Sequence, residues 1–195
     1  MKPFAESCEQ NKHVILDVIK NEFAEHNNIL EIGSGTGQHA VYFAAHLPHL
    51  TWQPSEQEEN IQGILSWLED YSGNNILQPI NLNVKQEWPS TTFDAVFSAN
   101  TAHIMDWPAV IELFKGIGQV LESNGTFCLY GPFNYQQQYS SESNARFDQW
   151  LKSRDPASGI RDFDDLNDIA KENKLIFKKD IEMPANNRIL VWTKE

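Results

Sequence analysis

The stretch Ile29-Leu30-Glu31-Ile32-Gly33-Ser34-Gly35-Thr36-Gly37-Gln38-His39-Ala40 decides the fold. Its first four residues, with Asn28 before them, read as a short buried strand by length and apolar content. Three glycines then alternate with small polar residues, and helical spacing resumes at Gln38. Glycine adopts positive φ at little steric cost and lets the backbone approach a ligand closely, but each one carries an entropic penalty in the folded chain. A helix that opens directly after such a turn offers unpaired N–H groups and the positive end of its dipole to an anionic or polar group. Strand, glycine turn and helix are therefore expected to form a ligand loop. The plainer alternative is a turn that serves only tight strand–helix packing.

Outward from this loop the chain alternates short apolar runs with longer amphipathic ones. Residues 11 to 25 put Val14, Ile15, Val18, Ile19 and Phe23 on one helical face. Gln38 to Leu47 is helical and stops before Pro48, and LTWQPS at 50–55 supplies a second strand. Pro54 is expected to end that strand, because proline donates nothing to a sheet ladder. A helix over Ser55 to Asp70 follows. ILQPINLNV at 76–84 is a third strand with an irregular start at Pro79, and FDAVFSA at 93–99 is a fourth. Trp107 to Leu121 is helical, with Ser123-Asn124-Gly125 marking its end before a fifth strand, TFCLYGPF, at 126–133. Residues 134–165 are polar, a helix covers Leu166 to Glu172, and LIFKKDIEM and RILVWTKE form a strand pair joined by PANN. Alternation of this kind predicts an α/β fold, a parallel-rich sheet with helices on both faces.

The chain has 195 residues, 41% of them hydrophobic, enough for one buried core and one domain. A net charge of -12 without any Lys/Arg run repels phosphate backbones and anionic lipid, so neither nucleic acid nor membrane is an expected partner. No apolar run approaches the roughly 18 residues of a membrane span, and the amino terminus has no export pattern. Two cysteines, Cys8 and Cys128, are too few for a disulfide framework or a zinc site, so no metal is expected. A reducing cytoplasm suits that usage, and Cys128 inside TFCLY reads as a small buried strand residue.

The glycine spacing separates two kinds of ligand. A dinucleotide fingerprint, G-x-G-x-x-G, would place glycine at Gln38, whereas this chain has G-x-G-x-G with Glu31 two positions before Gly33. That pattern resembles motif I of the class I S-adenosylmethionine-dependent methyltransferases. The segments FAESCEQNKHVIL, LTWQPSE, YGPF, SSESNARFDQWLKSRDPASGIRDF and MPANN extend the resemblance from end to end. Together they are similar to a bacterial and animal group of uncharacterised methyltransferase-like proteins catalogued as a domain of unknown function.

The resemblance implies a Rossmann-like sheet of about seven strands, mostly parallel with an antiparallel carboxy-terminal strand. It divides residues 1–195 into a cap helix (1–27), a cofactor-binding half (28–133), an acceptor-side insert (134–165) and a last helix with a strand pair (166–195). S-adenosylmethionine would be held by Glu31, Gly33, Gly35 and Gly37. Its ribose hydroxyls would meet Ser55 and Glu56 at the end of the second strand, although Glu56 would also serve as a helix-start acid. Its adenine would meet Asn83 and Val84, where the family usually has an acid; asparagine keeps the acceptor oxygen and lacks the charge, and also suits a plain turn.

The loop SANTAHIMDWP after the fourth strand, with Asn100, Thr101 and His103, would face the methionine part of the cofactor and the acceptor. It lacks the N/D/S-P-P-Y tetrad of enzymes that methylate amide or exocyclic nitrogens. Within this framework His103 is the first candidate for a general base and Tyr130 the second catalytic candidate, while His39 would shape the cofactor pocket. Asn134, Arg146 and Arg154 are candidates to bind the acceptor, because guanidinium groups pair bidentately with carboxylate or phosphate. The insert also carries Tyr135, Asn144 and Arg161, and its arginines would equally pair with Asp148, Asp155, Asp162 and Asp164. Asn11 or Lys12 would reach the cofactor carboxylate. The expected activity is methyl transfer to a small-molecule acceptor. The alternatives are a non-catalytic protein that holds S-adenosylmethionine or S-adenosylhomocysteine, and an NAD(P)-dependent oxidoreductase.

Overall fold

Five of the buried apolar runs lie side by side as parallel strands in the computed structural model, which describes residues 2–195. They are β1 (Asn28–Ile32), β2 (Thr51–Glu56), β3 (Ile80–Asn81), β4 (Phe93–Ala99) and β5 (Leu121–Gly131). A short pair, β6 (Phe133–Asn134) and β7 (Arg161–Asp162), stands apart from the main sheet. The last two strands, β8 (Leu175–Met183) and β9 (Asn187–Lys194), form an antiparallel hairpin that completes the order β3-β2-β1-β4-β5-β9-β8. β9 runs against both of its neighbours, so the sheet has seven strands with one reversed.

Six helices, α1 (Glu6–Glu22), α2 (Gln38–His46), α3 (Ile61–Leu68), α4 (Trp107–Val120), α5 (Glu142–Arg154) and α6 (Phe163–Glu172), accompany the strands. Strands buried on both faces carry apolar side chains at successive positions rather than alternating ones. β4 does this: Val96 joins one core with Leu30, Phe114 and Trp192, while Ala95 and Phe97 join the other with Ile19, Phe43 and Trp52. The cores correspond to the α4/α6 face and the α1/α2 face. Among the described residues, no helix is long and apolar enough to cross a membrane.

Several local expectations give way to tertiary context. Pro54 does not end β2; it pairs with Glu31 in mid-strand. Thr51 donates to Asn27 O on the β1 side and Trp52 to Asn75 O on the other, so alternate amides face opposite edges. Position 54 therefore turns its missing N–H toward the β3 side, where strand pairing starts only at Ser55 and Ile80. Ser55 is accordingly strand, not helix, and the following helix shrinks to a 3₁₀ turn at Glu58–Asn60 and α3. Of the third run only Ile80 and Asn81 are strand.

Helix α1 begins at Glu6, ahead of its apolar stripe. α4 ends at Val120, and Ser123 to Gly125 is a bend inside β5, with Asn124 at φ 67°. The polar insert contains a full helix, α5, capped by Ser141 Oγ on Asn144 N.

Strand order reverses about β1: the chain goes from β1 to β2 and β3 on one side, then crosses to β4 on the other. Loops leaving β1 and β4 diverge from such a point and open a crevice at the carboxyl ends of the strands.

Candidate active site

The loop after β1 carries three left-handed glycines, at φ 71°, 55° and 90° for Gly33, Gly35 and Gly37. A Cβ on Gly33 would lie 2.4 Å from Thr101 Cγ2 and one on Gly37 2.9 Å from Ile64 Cα, whereas one on Gly35 would meet nothing within 4 Å. Packing thus accounts for glycine at 33 and 37, and Gly35 alone turns its bare Cα to open space.

Behind the loop sits Glu31, 2% exposed, whose Oε2 accepts hydrogen bonds from Ser34 Oγ (2.9 Å) and Trp52 Nε1 (3.0 Å). Burial pushes this carboxyl up to about 7. Ser55 Oγ donates to Glu31 O at 2.6 Å and Ser34 N to Ser55 O at 2.9 Å, so β2 fixes the start of the loop. Glu31, Gly37 and Ser55 shape the loop from behind; the open side is lined by Gly33, Ser34, Gly35 and Thr36.

That open side faces a cavity of about 460 Å³. Glu56, at the end of β2, takes Gly35 N on Oε2 (2.9 Å) and Gln57 N on Oε1 (2.8 Å). A carboxylate has about four acceptor sites, so two remain for a ligand. Asn83 Oδ1 accepts from Lys85 N at 3.0 Å, an Asx turn that leaves its amide N–H groups free. Leu82, Val84, Met105 and Ala109 make an apolar wall, and an ion pair between Lys85 and Asp106 (2.6 Å) closes the rim. Cys8 lines the cavity as a protonated thiol, pushed up to about 11 chiefly by burial.

Helix α1 covers the loop through Gln38, whose Oε1 accepts from Ala5 N (2.6 Å) and Thr36 Oγ1 (3.0 Å), while its Nε2 donates to Glu9 (2.8 Å).

A second cavity, about 680 Å³, adjoins the first, and Ser7 and Asn100 line both. Asn100 holds a left-handed backbone (φ 58°) and donates its N–H to Tyr130 O. His39, on the first cavity, and Asn11, on the second, are joined by a 2.7 Å hydrogen bond that forms part of the wall between them. Lys12 turns away, paired with Glu9 and lying over the Tyr42 ring.

His103 lines the second cavity, 7% exposed, edge-on to Phe147 with ring centroids 5.4 Å apart. No side-chain hydrogen bond holds its imidazole among the described residues. Burial, with Arg161 adding to it, lowers His103 to about 4, and burial alone does most of the same for His39. Both rings are neutral at physiological pH. Tyr130 also lines the cavity, its phenol raised by burial.

Asn134, Arg146 and Arg154 line neither cavity. Asn134 lies in β6 beside a separate depression with Arg161 and Asp162, and its Oδ1 is buried without a partner. Arg146 is exposed and 3.8 Å from Glu142; Arg154 lies over the Trp150 ring, 4.8 Å from its centroid. Arg161 donates to the carbonyls of Ala102, Met105 and Ala157, tethering the loop that bears His103. Asp148 accepts from Tyr139, Lys152 and Ile160 N. The wall of the second cavity comes instead from Ser143, Asn144, Phe147 and Trp150 on α5 and from Pro184–Asn187. The spacing 143, 147, 150 is a helical stripe present in the sequence, legible once 142–154 is known to be a helix.

The seven-stranded sheet with its reversed strand, the glycine turn after β1 and the carboxylate ending β2 define a class I methyltransferase fold. Within that class the chain belongs to the family described as "Protein of unknown function (DUF938)", whose model matches residues 2–194. An O-methyltransferase family protein from Burkholderia thailandensis superposes with a TM-score of 0.85 at 11% identity, covering 97% of this chain and 58% of its own. Mitomycin 7-O-methyltransferase gives 0.84 at 12% identity over 97% and 54%. Human N-acetylserotonin methyltransferase, solved with S-adenosylmethionine, gives 0.79 at 12% over 97% and 53%. The chain spans a little over half the length of these proteins, and at such identities the likeness is one of fold.

Proposed function

We propose that the protein transfers the methyl group of S-adenosylmethionine to a small-molecule acceptor. The observation that carries this is the pair of adjoining cavities, one built on the glycine loop and one on α5, that meet at Asn100 and Ser7. The residues suit the cofactor. Glu56 retains acceptor sites for two sugar hydroxyls beside Gly35, whose missing Cβ leaves room for close approach. Leu82, Val84 and Ala109 give a purine an apolar slot, with the Asn83 amide N–H groups at its edge. The volume falls within the range of small-ligand sites, about 300–1,000 Å³.

Bound there, the cofactor would supply an activated methyl group on a sulfonium, with the sulfur as its leaving group. The chain's own task is alignment: Asn100 and Ser7 stand where the two ligands meet, and Arg161 fixes the 102–105 backbone that presents His103. The neutral His103 imidazole, with no protein partner of its own, takes the proton that an O–H or N–H acceptor releases. Tyr130 lines the same cavity as a protonated phenol.

That Ser7 and Asn100 line both cavities favours catalysis over cofactor storage. The oxidoreductase alternative is disfavoured because a buried Gln38, bonded to α1, occupies the place a dinucleotide fingerprint gives to glycine. Calorimetric titration with S-adenosylmethionine, S-adenosylhomocysteine and NAD tests the proposal. The first two are expected to bind, and binding of NAD alone would overturn it.

A further inference from the structure

The second cavity differs from its surroundings in one respect: none of its lining residues is Asp, Glu, Lys or Arg. This is unusual in a chain with 27 acidic and 15 basic residues. Its two titratable side chains are uncharged as well, His103 being neutral and Tyr130 protonated. The cofactor cavity, by contrast, has Glu56, Lys85 and Asp106 at its walls. A formal charge placed in the second cavity would find no counter-ion among its lining residues.

The shape of the wall is equally specific. Phe147 and Trp150, one turn apart on α5, are stacked on one another, their planes 17° apart and their centroids 5.7 Å apart. Arg154 lies over the Trp150 ring and His103 is edge-on to Phe147, so both rings are held in place. Trp150 is nevertheless 50% exposed and lines the cavity. A cavity wall of two fixed aromatic side chains suits an aromatic ligand.

Polar recognition is left to amides. Asn144, 5% exposed, spends both Nδ2 hydrogens on Ser140 Oγ and Asn186 O, which leaves only its Oδ1 acceptor. The facing turn holds Ala185 and Asn186 in left-handed conformations, φ 58° and 57°, and Asn186 is tied to Ser143. Non-glycine residues in that region cost about 1–3 kcal/mol each and persist where the surroundings over-determine them.

Resting on the methyltransferase proposal above, we infer that the acceptor is an uncharged planar aromatic compound carrying an O–H or N–H donor. Phe147 and Trp150 form the aromatic wall it packs against, and Asn144 Oδ1 is its hydrogen-bond acceptor. A carboxylate, phosphate or ammonium acceptor would find no Asp, Glu, Lys or Arg among the lining residues to pair with.

The probes are 2-naphthol, 2-naphthoate and 2-naphthylmethylammonium, three charge states on one ring system. Each is titrated by ligand-observed NMR against the full chain saturated with S-adenosylhomocysteine, whose own affinity is measured by calorimetry. 2-Naphthol is expected to bind with a Kd below about 1 mM, and the two ions at least about tenfold more weakly. Phe147→Ala and Trp150→Ala should each weaken 2-naphthol at least about fivefold while S-adenosylhomocysteine affinity stays unchanged, which also reports that the variants fold. Trp150→Phe, which keeps an aromatic face, should retain most of the affinity.

An ion that binds as tightly as 2-naphthol, indifference to both alanine variants, or no 2-naphthol binding overturns the inference. Normal cofactor affinity in that event leaves the methyltransferase proposal standing. Failure of S-adenosylhomocysteine to bind would sink the methyltransferase proposal and this inference with it, and the calorimetry tells that outcome apart from loss of 2-naphthol binding alone.

Discussion

The cavity proposed for the cofactor and the one proposed for the acceptor share Ser7 and Asn100, yet the chain builds them in opposite ways. The first is made largely of strand ends and the turns that follow them: Gly33 to Thr36 after β1, Glu56 at the end of β2, Asn83 and Val84 just past β3. Each contribution is a short contiguous motif at a fixed place in a repeated unit. The second gathers single faces of separate elements, α1, the β4 loop, the end of β5, α5 and the β8–β9 turn. No segment of it is recognisable by itself. A site made of turns is written locally; a site made of helix faces exists only once the helices are docked.

The sharpest way to break this contrast is at the glycines. Gly35→Leu should abolish cofactor binding in calorimetry while the protein stays folded, because the new side chain enters open cavity. Gly37→Ala should instead lower Tm, since its Cβ would press on the Ile64 backbone at 2.9 Å. Two glycines of one motif would then fail by different routes. Equal loss of fold in both would mean that the loop is packing throughout.

Glu31 gives the next largest effect. Its folded carboxyl is raised from 4.5 to about 7, so its contribution to stability is complete below the unfolded value and is lost as pH rises through about 7. Glu31→Gln keeps an oxygen to accept from Ser34 and Trp52 and removes the titration. The variant should gain on the parent between pH 5 and 8, by at most about 3 kcal/mol. Thermal melts across that interval check this, and parallel pH profiles would show that the buried carboxyl does not titrate there.

His103→Ala tests the acceptor side. Turnover should fall about a hundredfold with cofactor Kd unchanged, the scale of a lost general base. An acid limb in kcat near pH 4, the value to which burial brings the imidazole, should disappear with it. Unchanged turnover would leave His103 as cavity wall.

The smallest effect separates the insert's surface from its cavity face. Arg146→Ala removes an exposed ion pair at 3.8 Å. It should shift stability by less than about 0.5 kcal/mol and leave the acceptor KM unchanged. A large rise in KM would return the surface arginines to the acceptor site.

Much of this was legible in the sequence, with exceptions that have physical causes. The order of strands and helices followed from periodicity, and the glycine loop from residue type and spacing. Pro54 misled because whether a proline harms a strand depends on which edge its nitrogen faces, and β3 leaves that edge without a ladder partner at this point. Asn83 was legible only as a choice between acceptor and turn; its Oδ1 receives Lys85 N. Arg161, one cation among several in a polar stretch, turned out to bind three backbone carbonyls, a role that depends on the distant 102–105 loop meeting β7.

By itself the sequence determined the strand–helix alternation, the glycine turn and the carboxylate one strand later, because strand period, glycine conformation and the separation of successive strands are local properties of the chain. Only the tertiary structure decided that Gly37 and Gly33 press against Ile64 and Thr101 while Gly35 faces open cavity, and that Glu31 is buried behind the loop. It alone removed Asn134, Arg146 and Arg154 from the cavity wall and put Phe147, Trp150 and Asn144 there. Those outcomes turn on which face of a helix docks and which charges lose water, and neither is specified by a residue and its neighbours in sequence.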